Sequence, residues 1–320
     1  MAKAPKPLKL ALVGCGRRGL GVYGPALARY VGDHGGQVAL ATAVDTEVVR
    51  AQEACGRFGF EAAADDLAAA IRDHSPDVCL LALPPDETML QGAQLLAQAM
   101  RCTLELPLGD SLDEMMQLSE AAAETKTAHA VMLNRRFNPY LTRADRWARQ
   151  MGPVRSITCT LATDGAIDAA YVAATVAHAV DALAHLAGRP GGYTLAADGD
   201  GHVVTLPLGD AVTGTIRLHG GAPAPLERYA IAGGGFRAVA TVEGDDGPSL
   251  RCFRGDYREV DIAGPAGQPP DATDGTADAL AGILGAFAAG KAPAPTIDDA
   301  MPAADLAWQI VAELARTAAA

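Results

Sequence analysis

The sequence predicts an α/β first half and an α+β second half, and three observations predict it. Glycines 14, 16 and 19 follow directly on a short apolar run, Leu8 to Val13. From residue 8 to residue 133, apolar strand-like runs alternate with helical patterns, as in a parallel sheet covered by helices on both sides. Beyond residue 134, short strand-like runs separated by glycine-rich turns take over, as in an antiparallel, open sheet. At 320 residues the chain is too long for one ordinary domain and right for two. The change of pattern sets the expected domains at 1–133 and 134–320.

In the first half, strands are predicted at 8–13, 38–44, 77–83, 101–104 and 128–133. Helices are predicted near 20–31, 47–58, 64–73, 88–99 and 111–125. Pro25 must sit in the first turn of the first helix, because its ring and missing N–H are tolerated there. The helix at 111 opens with a capping box, Ser111 as N-cap with Glu114 reaching back, and Leu112, Met115, Met116 and Ala122 mark its buried face.

The glycine loop carries the chemistry. Strand, glycine turn, helix and a second strand ending at Asp45 make the dinucleotide-binding fingerprint of a Rossmann domain. One glycine permits the tight turn, one lets the backbone approach a diphosphate, and one lets helix pack on strand. The helix start then offers free N–H groups and a positive dipole end to the phosphates. Asp45 would accept hydrogen bonds from a ribose diol and repel a 2′-phosphate, which selects NAD first and leaves NADP second. Cys15 serves this loop through its backbone. Arg17 and Arg18 either touch phosphate or are simply solvated, and Arg50 either stacks on adenine or approaches a 2′-phosphate. Ligands of such sheets bind at the carboxyl ends of the strands, which puts Leu83 and Pro84, and then Glu105 and Pro107, beside the loop.

The second half is predicted to hold a helix near 139–150, a strand from Val154 to Ala162 and a helix near 172–187. Strand-like runs follow at 203–208, 211–218, 228–232, 236–242, 250–253 and 259–262, and Gly264 to Gly275, with three prolines, reads as a loop. Two closing helices carry the stripes Leu280, Ile283, Leu284, Phe287 and Leu306, Ile310, Val311, Leu314. Helices on one face leave the other face of the sheet to be covered by a partner subunit.

Composition excludes several partners. A net charge of −12 supplies no basic patch for nucleic acid or an anionic membrane. The lead containing Lys3, Pro5, Lys6 and Pro7 has no apolar region or cleavage site of a signal peptide, and no apolar stretch reads as long enough to span a bilayer. Six scattered cysteines without a C-x-x-C pair read as reduced thiols of a cytoplasmic protein.

Four ordered segments then align. Leu81 to Asp86 (Leu-Ala-Leu-Pro-Pro-Asp) follows one strand, and Leu104 to Leu108 (Leu-Glu-Leu-Pro-Leu) follows the next. Asn134 to Pro139 (Asn-Arg-Arg-Phe-Asn-Pro) follows the last, and His178 to Asp181 (His-Ala-Val-Asp) precedes Leu186-Ala-Gly188. In order and spacing the chain resembles the glucose–fructose oxidoreductase / inositol dehydrogenase / MocA (Gfo/Idh/MocA) family, essentially end to end. The resemblance implies a nicotinamide-dependent oxidoreductase acting on sugars, cyclitols or related polyols. It also implies a Rossmann domain, a substrate domain on a large, mostly antiparallel sheet, and a homodimer or homotetramer packed through that sheet.

The departures are specific. Where the family has Glu-Lys-Pro, with a catalytic lysine, this chain has Glu105-Leu106-Pro107. Where the family has Asp-x-Gly-x-His, this chain keeps the histidine, His178, and puts Ala174 in place of the aspartate. Oxidising an alcohol needs a base for its proton, and leucine and alanine supply none. His178, at the matched catalytic position, is the remaining candidate, with Tyr171 seven residues upstream as a second and Asp164 and Asp168 as neighbours. Arg136 and Asp181 are the candidate substrate contacts; alternatively Arg135 and Arg136 pair with a carboxylate between domains, and Asp181 is structural. His185 reads as surface or helix packing. Along one helix His178 and His185 stand about 10 Å apart, too far for one ion with bonds near 2 Å, so no metal is expected. Reduction of an imine or activated carbonyl fits the altered residues, a nucleotide-binding sensor without catalysis is the alternative, and a lyase or isomerase that keeps NAD bound is a third.

Overall fold

The computed structural model describes residues 6–264 and 273–318. Lys3, Pro5 and the middle of the loop expected at 264–275 lie outside the described residues. The chain divides into two compact units, one of residues 1–133 with 276–301, the other of residues 134–275 with 302–320.

The first unit is built on six strands: β1 (Leu8–Val13), β2 (Val38–Val44), β3 (Ala62–Ala64), β4 (Val78–Leu81), β5 (Arg101–Leu104) and β6 (His129–Val131). All pair in parallel, in the order β3-β2-β1-β4-β5-β6. Helices α1 (Gly24–Asp33), α2 (Val48–Phe58), α3 (Leu67–His74), α4 (Pro85–Ala97) and α5 (Leu112–Thr125) alternate with the strands. Strand β3 was not expected, because three alanines carry no branched or aromatic strand signal. The chain runs outward from β1 through β2 to β3, then returns to the other side of β1 as β4. The order therefore reverses between β1 and β4, where ligands of doubly wound sheets bind. At α5 the Ser111 hydroxyl accepts from the Glu114 N–H at 3.3 Å, while the Glu114 carboxylate reaches the Asp110 N–H at 2.7 Å, one residue earlier than a regular capping box.

The second unit starts with a 3₁₀ turn at Asn134–Phe137 and α6 (Pro139–Met151), whose first two free N–H groups bond the Asn138 side chain. Strand β7 (Val154–Ala162) leads into the short α7 (Ala169–Tyr171), a π turn (Val172–Val176) and α8 (Ala177–Ala187). Strands β8 (Thr194–Asp198), β9 (Gly201–Leu208), β10 (Val212–His219), β11 (Leu226–Gly233), β12 (Phe236–Glu243), β13 (Ser249–Arg254) and β14 (Tyr257–Ala263) complete one eight-stranded sheet. Its order is β14-β13-β12-β11-β7-β10-β9-β8, and only β7 and β10 pair in parallel. Every second residue of β7, β10, β11 and β12 enters a core with Val176, Val180, Leu183 and Leu141, which sets the register. Ala169–Ala187 corrects one expectation. It is 19 residues, with an 18-residue window of mean hydropathy 1.3, long and apolar enough by length and composition to cross a membrane, but 56% of that window is buried.

The last helices are α9 (Thr276–Ala288) and α10 (Ile297–Ala318). The stripe Leu280, Ile283, Leu284 and Phe287 is buried, and α9 packs on α1. Residues 276–301 thus group with the first unit although the sequence pattern set them with 134–320: their apolar stripe finds its partner on a helix far away in sequence.

Candidate active site

In the first unit, the carboxyl ends of β1, β2 and β4 are tied together at the glycine loop. The Gly14 N–H donates to the Val44 carbonyl and the Ala82 N–H to the Val13 carbonyl, each at 2.8 Å. Gly14 has φ +91°, and a Cβ there would lie 2.4 Å from the Ala82 oxygen. A Cβ on Gly19 would lie 2.1 Å from the Gly14 oxygen. Both glycines are therefore required by the fold itself. Gly16 differs: a Cβ there would meet nothing within 4 Å, and its backbone carries no positive φ. Among the described residues nothing stands close enough to Gly16 to exclude a side chain there.

Asp45 follows β2 directly. Its Oδ2 accepts from the Cys15 N–H at 2.8 Å and its Oδ1 from the Glu47 N–H at 2.9 Å, so the carboxylate is held against the loop. The Cys15 thiol is buried and pushed up to about 12, mainly by burial and then by Asp45, so only the backbone of this residue is chemically available. Arg50 bonds Glu47 at 2.9 Å and approaches Asp45 to 3.9 Å, which engages with local acids the charge considered for a 2′-phosphate. Arg17 is exposed. Leu83 packs against Gly14, and Pro84 caps α4.

One cluster was not legible in the sequence. Arg18, inside the loop, forms an ion pair with Glu105, the first residue after β5, and its guanidinium lies 5.4 Å from the centre of the Tyr23 ring. Tyr23 is fully buried, and burial followed by the Glu105 charge pushes its hydroxyl well above the usual tyrosine range. The residues Gly19–Tyr23 form a π turn, a local widening that brings Tyr23 beneath Arg18. Leu106 is 6% exposed, and Pro107 adds no charge.

In the second unit, Arg135 and Arg136 leave the 3₁₀ turn in two bidentate pairs. Arg136 Nε lies 2.9 Å from Asp181 Oδ2, and its Nη2 lies 2.6 Å from Oδ1. Arg135 Nε and Nη2 bond the two Glu227 oxygens at 2.8 and 2.5 Å, and the Tyr229 hydroxyl donates to Glu227 at 2.8 Å. The two candidate substrate contacts, Arg136 and Asp181, are thus bound to each other, with Asp181 only 2% exposed. His178 is half-buried, one turn before Asp181 on α8. The π turn between Tyr171 and His178 rotates one against the other by roughly 100° relative to a regular helix, because it inserts a residue. Burial, then Glu227, pushes Tyr171 up to about 12, so its phenol stays protonated at neutral pH. Asp168 is occupied as the N-cap of Tyr171, accepting at 2.8 Å, and Asp164 is exposed. Burial, and secondly Arg136, hold His185 below its ordinary value of 6.5. A folded value below the unfolded one means that stability present at pH 7.5 is lost as pH falls below 6.5. Urea midpoints should therefore drop less between pH 7.5 and 5.5 in His185→Gln than in wild type.

Residues 8–133 match the family model of the GFO_IDH_MocA oxidoreductases, described as an NAD-binding Rossmann fold. Over these residues the chain is similar to the Gfo/Idh/MocA oxidoreductases. Solved structures extend the likeness in fold to both units. A dehydrogenase (MviM) from Clostridium difficile matches with a TM-score of 0.80 at 15% identity, over 96% of this chain and 99% of that one. A Gfo/Idh/MocA family oxidoreductase from Vibrio cholerae matches with a TM-score of 0.78 at 18% identity, over 98% and 100%. Levoglucosan dehydrogenase, solved with NADH and L-sorbose, matches with a TM-score of 0.77 at 18% identity, over 96% and 97%. No curated protein sequence matches significantly. Leu106, where the resemblance leads one to expect a lysine, is buried, and the cation that meets Glu105 comes from the loop after β1.

Proposed function

We propose that the protein is an NAD-dependent oxidoreductase that transfers hydride to or from a sugar, a cyclitol or a related carbonyl or imine, with His178 as its acid–base residue. The observation that carries this reading is the glycine loop, where Gly14 and Gly19 are demanded by packing while Gly16 leaves open space against three aligned strand ends. Gly14, Gly16, Gly19 and the Cys15 backbone would hold the diphosphate, and Asp45 the adenosine ribose. When bound, the nicotinamide supplies the hydride acceptor or donor. An imidazole can take up an alcohol proton or return one to a carbonyl oxygen, and His178 would supply one. Arg136 and Asp181 are assigned to holding α8, and thereby His178, in place. The sugar dehydrogenase among the similar folds supports a polyol-type substrate.

Asp45 gives the direct test of cofactor choice. Wild type should bind NADH more tightly than NADPH, and Asp45→Ala should lose about tenfold in NADH affinity and most of that preference, because a ribose diol loses its charged acceptor. Fluorescence titration with both coenzymes measures this; an NADPH preference in wild type removes Asp45 from the role.

A second reading has its own observation. Leu106 is buried and Ala174 is apolar where the family has two polar catalytic groups, which suits a nucleotide-binding sensor without turnover. The readings separate on His178→Ala: a catalyst loses turnover, and a sensor has none to lose. Association through the eight-stranded sheet into a homodimer or homotetramer belongs to the first reading and is measured by light scattering. Cytoplasmic residence also belongs to it, supported by six cysteines that are all free thiols.

A further inference from the structure

We propose that the Arg18–Glu105 pair balances charge at the redox end of the dinucleotide site and so sets the relative affinity for the oxidised and reduced coenzyme. The inference rests on the reading of the first unit as an NAD site. Strand order fixes the direction of the ligand. Asp45, the ribose acceptor, ends β2, so the adenosine half lies on the β2 side of β1. The other half of a dinucleotide crossing the glycine loop must then lie over β4 and β5.

That is where the pair stands. Arg18 leaves the loop after β1 and Glu105 follows β5, so their contact bridges the carboxyl end of the intervening β4. The Glu105 side chain is 14% exposed and that of Arg18 is 38% exposed. The Tyr23 ring beneath the guanidinium is fully buried, which gives Arg18 a fixed floor. Leu106 and Pro107, next along the chain, add no charge. One carboxylate and one guanidinium therefore face this end of the site as a neutral couple.

The two coenzyme forms differ there by one charge, since the oxidised nicotinamide ring is cationic and the reduced ring is neutral. Removing either partner leaves a net charge that acts on the first and not the second. A unit charge several ångströms from the ring, at the edge of solvent, corresponds to about a three- to tenfold change in affinity.

Calorimetric titration of NAD⁺ and of NADH into wild type, R18M, E105Q and R18M/E105Q tests this, with melting curves to confirm folding. R18M leaves the carboxylate alone and should raise the ratio of NAD⁺ to NADH affinity about three- to tenfold. E105Q leaves the guanidinium alone and should lower it by a similar factor. The double variant should return to within about twofold of wild type, since both charges are gone. Each single variant decides by the sign of its own shift, so loss of one to misfolding leaves the other. Shifts of the same sign, or none beyond twofold, overturn the inference while leaving the NAD reading standing. Wild type that binds neither coenzyme overturns both.

Discussion

Replacing His178 with alanine should lower turnover by about 10²–10⁴-fold, the usual worth of one positioned acid–base group, while NADH affinity changes less than about twofold. The separation follows from where the residues lie. The groups that would hold the coenzyme, Gly14, Gly16, Gly19 and Asp45, belong to the first unit, and His178 belongs to α8 of the second. In the proposed reading His178 is the residue left to move a proton. Leu106 has no proton to move, Ala174 has none, Asp168 is committed to a helix cap, and Tyr171 is pushed up to about 12. A carbonyl and imine panel with NADH as reductant measures the turnover. Undiminished activity in His178→Ala would move the proton chemistry to another residue.

Glu227→Ala should destabilise the second unit by about 3–5 kcal/mol, the usual cost of stripping one partner from a buried pair. Glu227 is 4% exposed and accepts from Arg135 twice and from Tyr229 once. Its loss leaves a guanidinium without its carboxylate and a buried phenol without its acceptor. Replacing both charged partners together, in R135M/E227M, should recover much of that loss, because the desolvation cost disappears with the charges. Urea unfolding of the three proteins tests the pair; equal stability of Glu227→Ala and wild type would contradict it.

The strands of the first unit were legible because they are apolar and bounded by glycine, proline or acid, as at Val13-Gly14 and Val44-Asp45. Strand β3 was hidden by its three alanines. The eight-stranded sheet was legible as a set of short runs, but Thr194–Asp198 was missed because it is mostly exposed and carries one large apolar residue. The grouping of α9 with the first unit depends on a contact over some 250 residues of chain, which no local pattern encodes. At the site, the glycine loop after β1 and the acid at the end of β2 follow from spacing. The Arg18–Glu105–Tyr23 cluster does not, because a π turn shifts Tyr23 out of α-helical register. A second π turn, at Val172–Val176, likewise separates Tyr171 from His178, a feature that the seven-residue spacing does not reveal. The Arg136–Asp181 pair was one of two readings that the sequence left open, and only the folded chain brings these residues together.

Titration of NADH into wild type and Gly16→Val tests the central claim most directly. A Cβ at residue 16 meets none of the described residues within 4 Å and needs no positive φ, so the variant should melt with wild type. In the proposed reading the same side chain stands where the diphosphate approaches the backbone, so NADH binding should weaken by about 100-fold or more. Gly16→Val that binds NADH as wild type does, or wild type that binds none at millimolar coenzyme, would contradict the account.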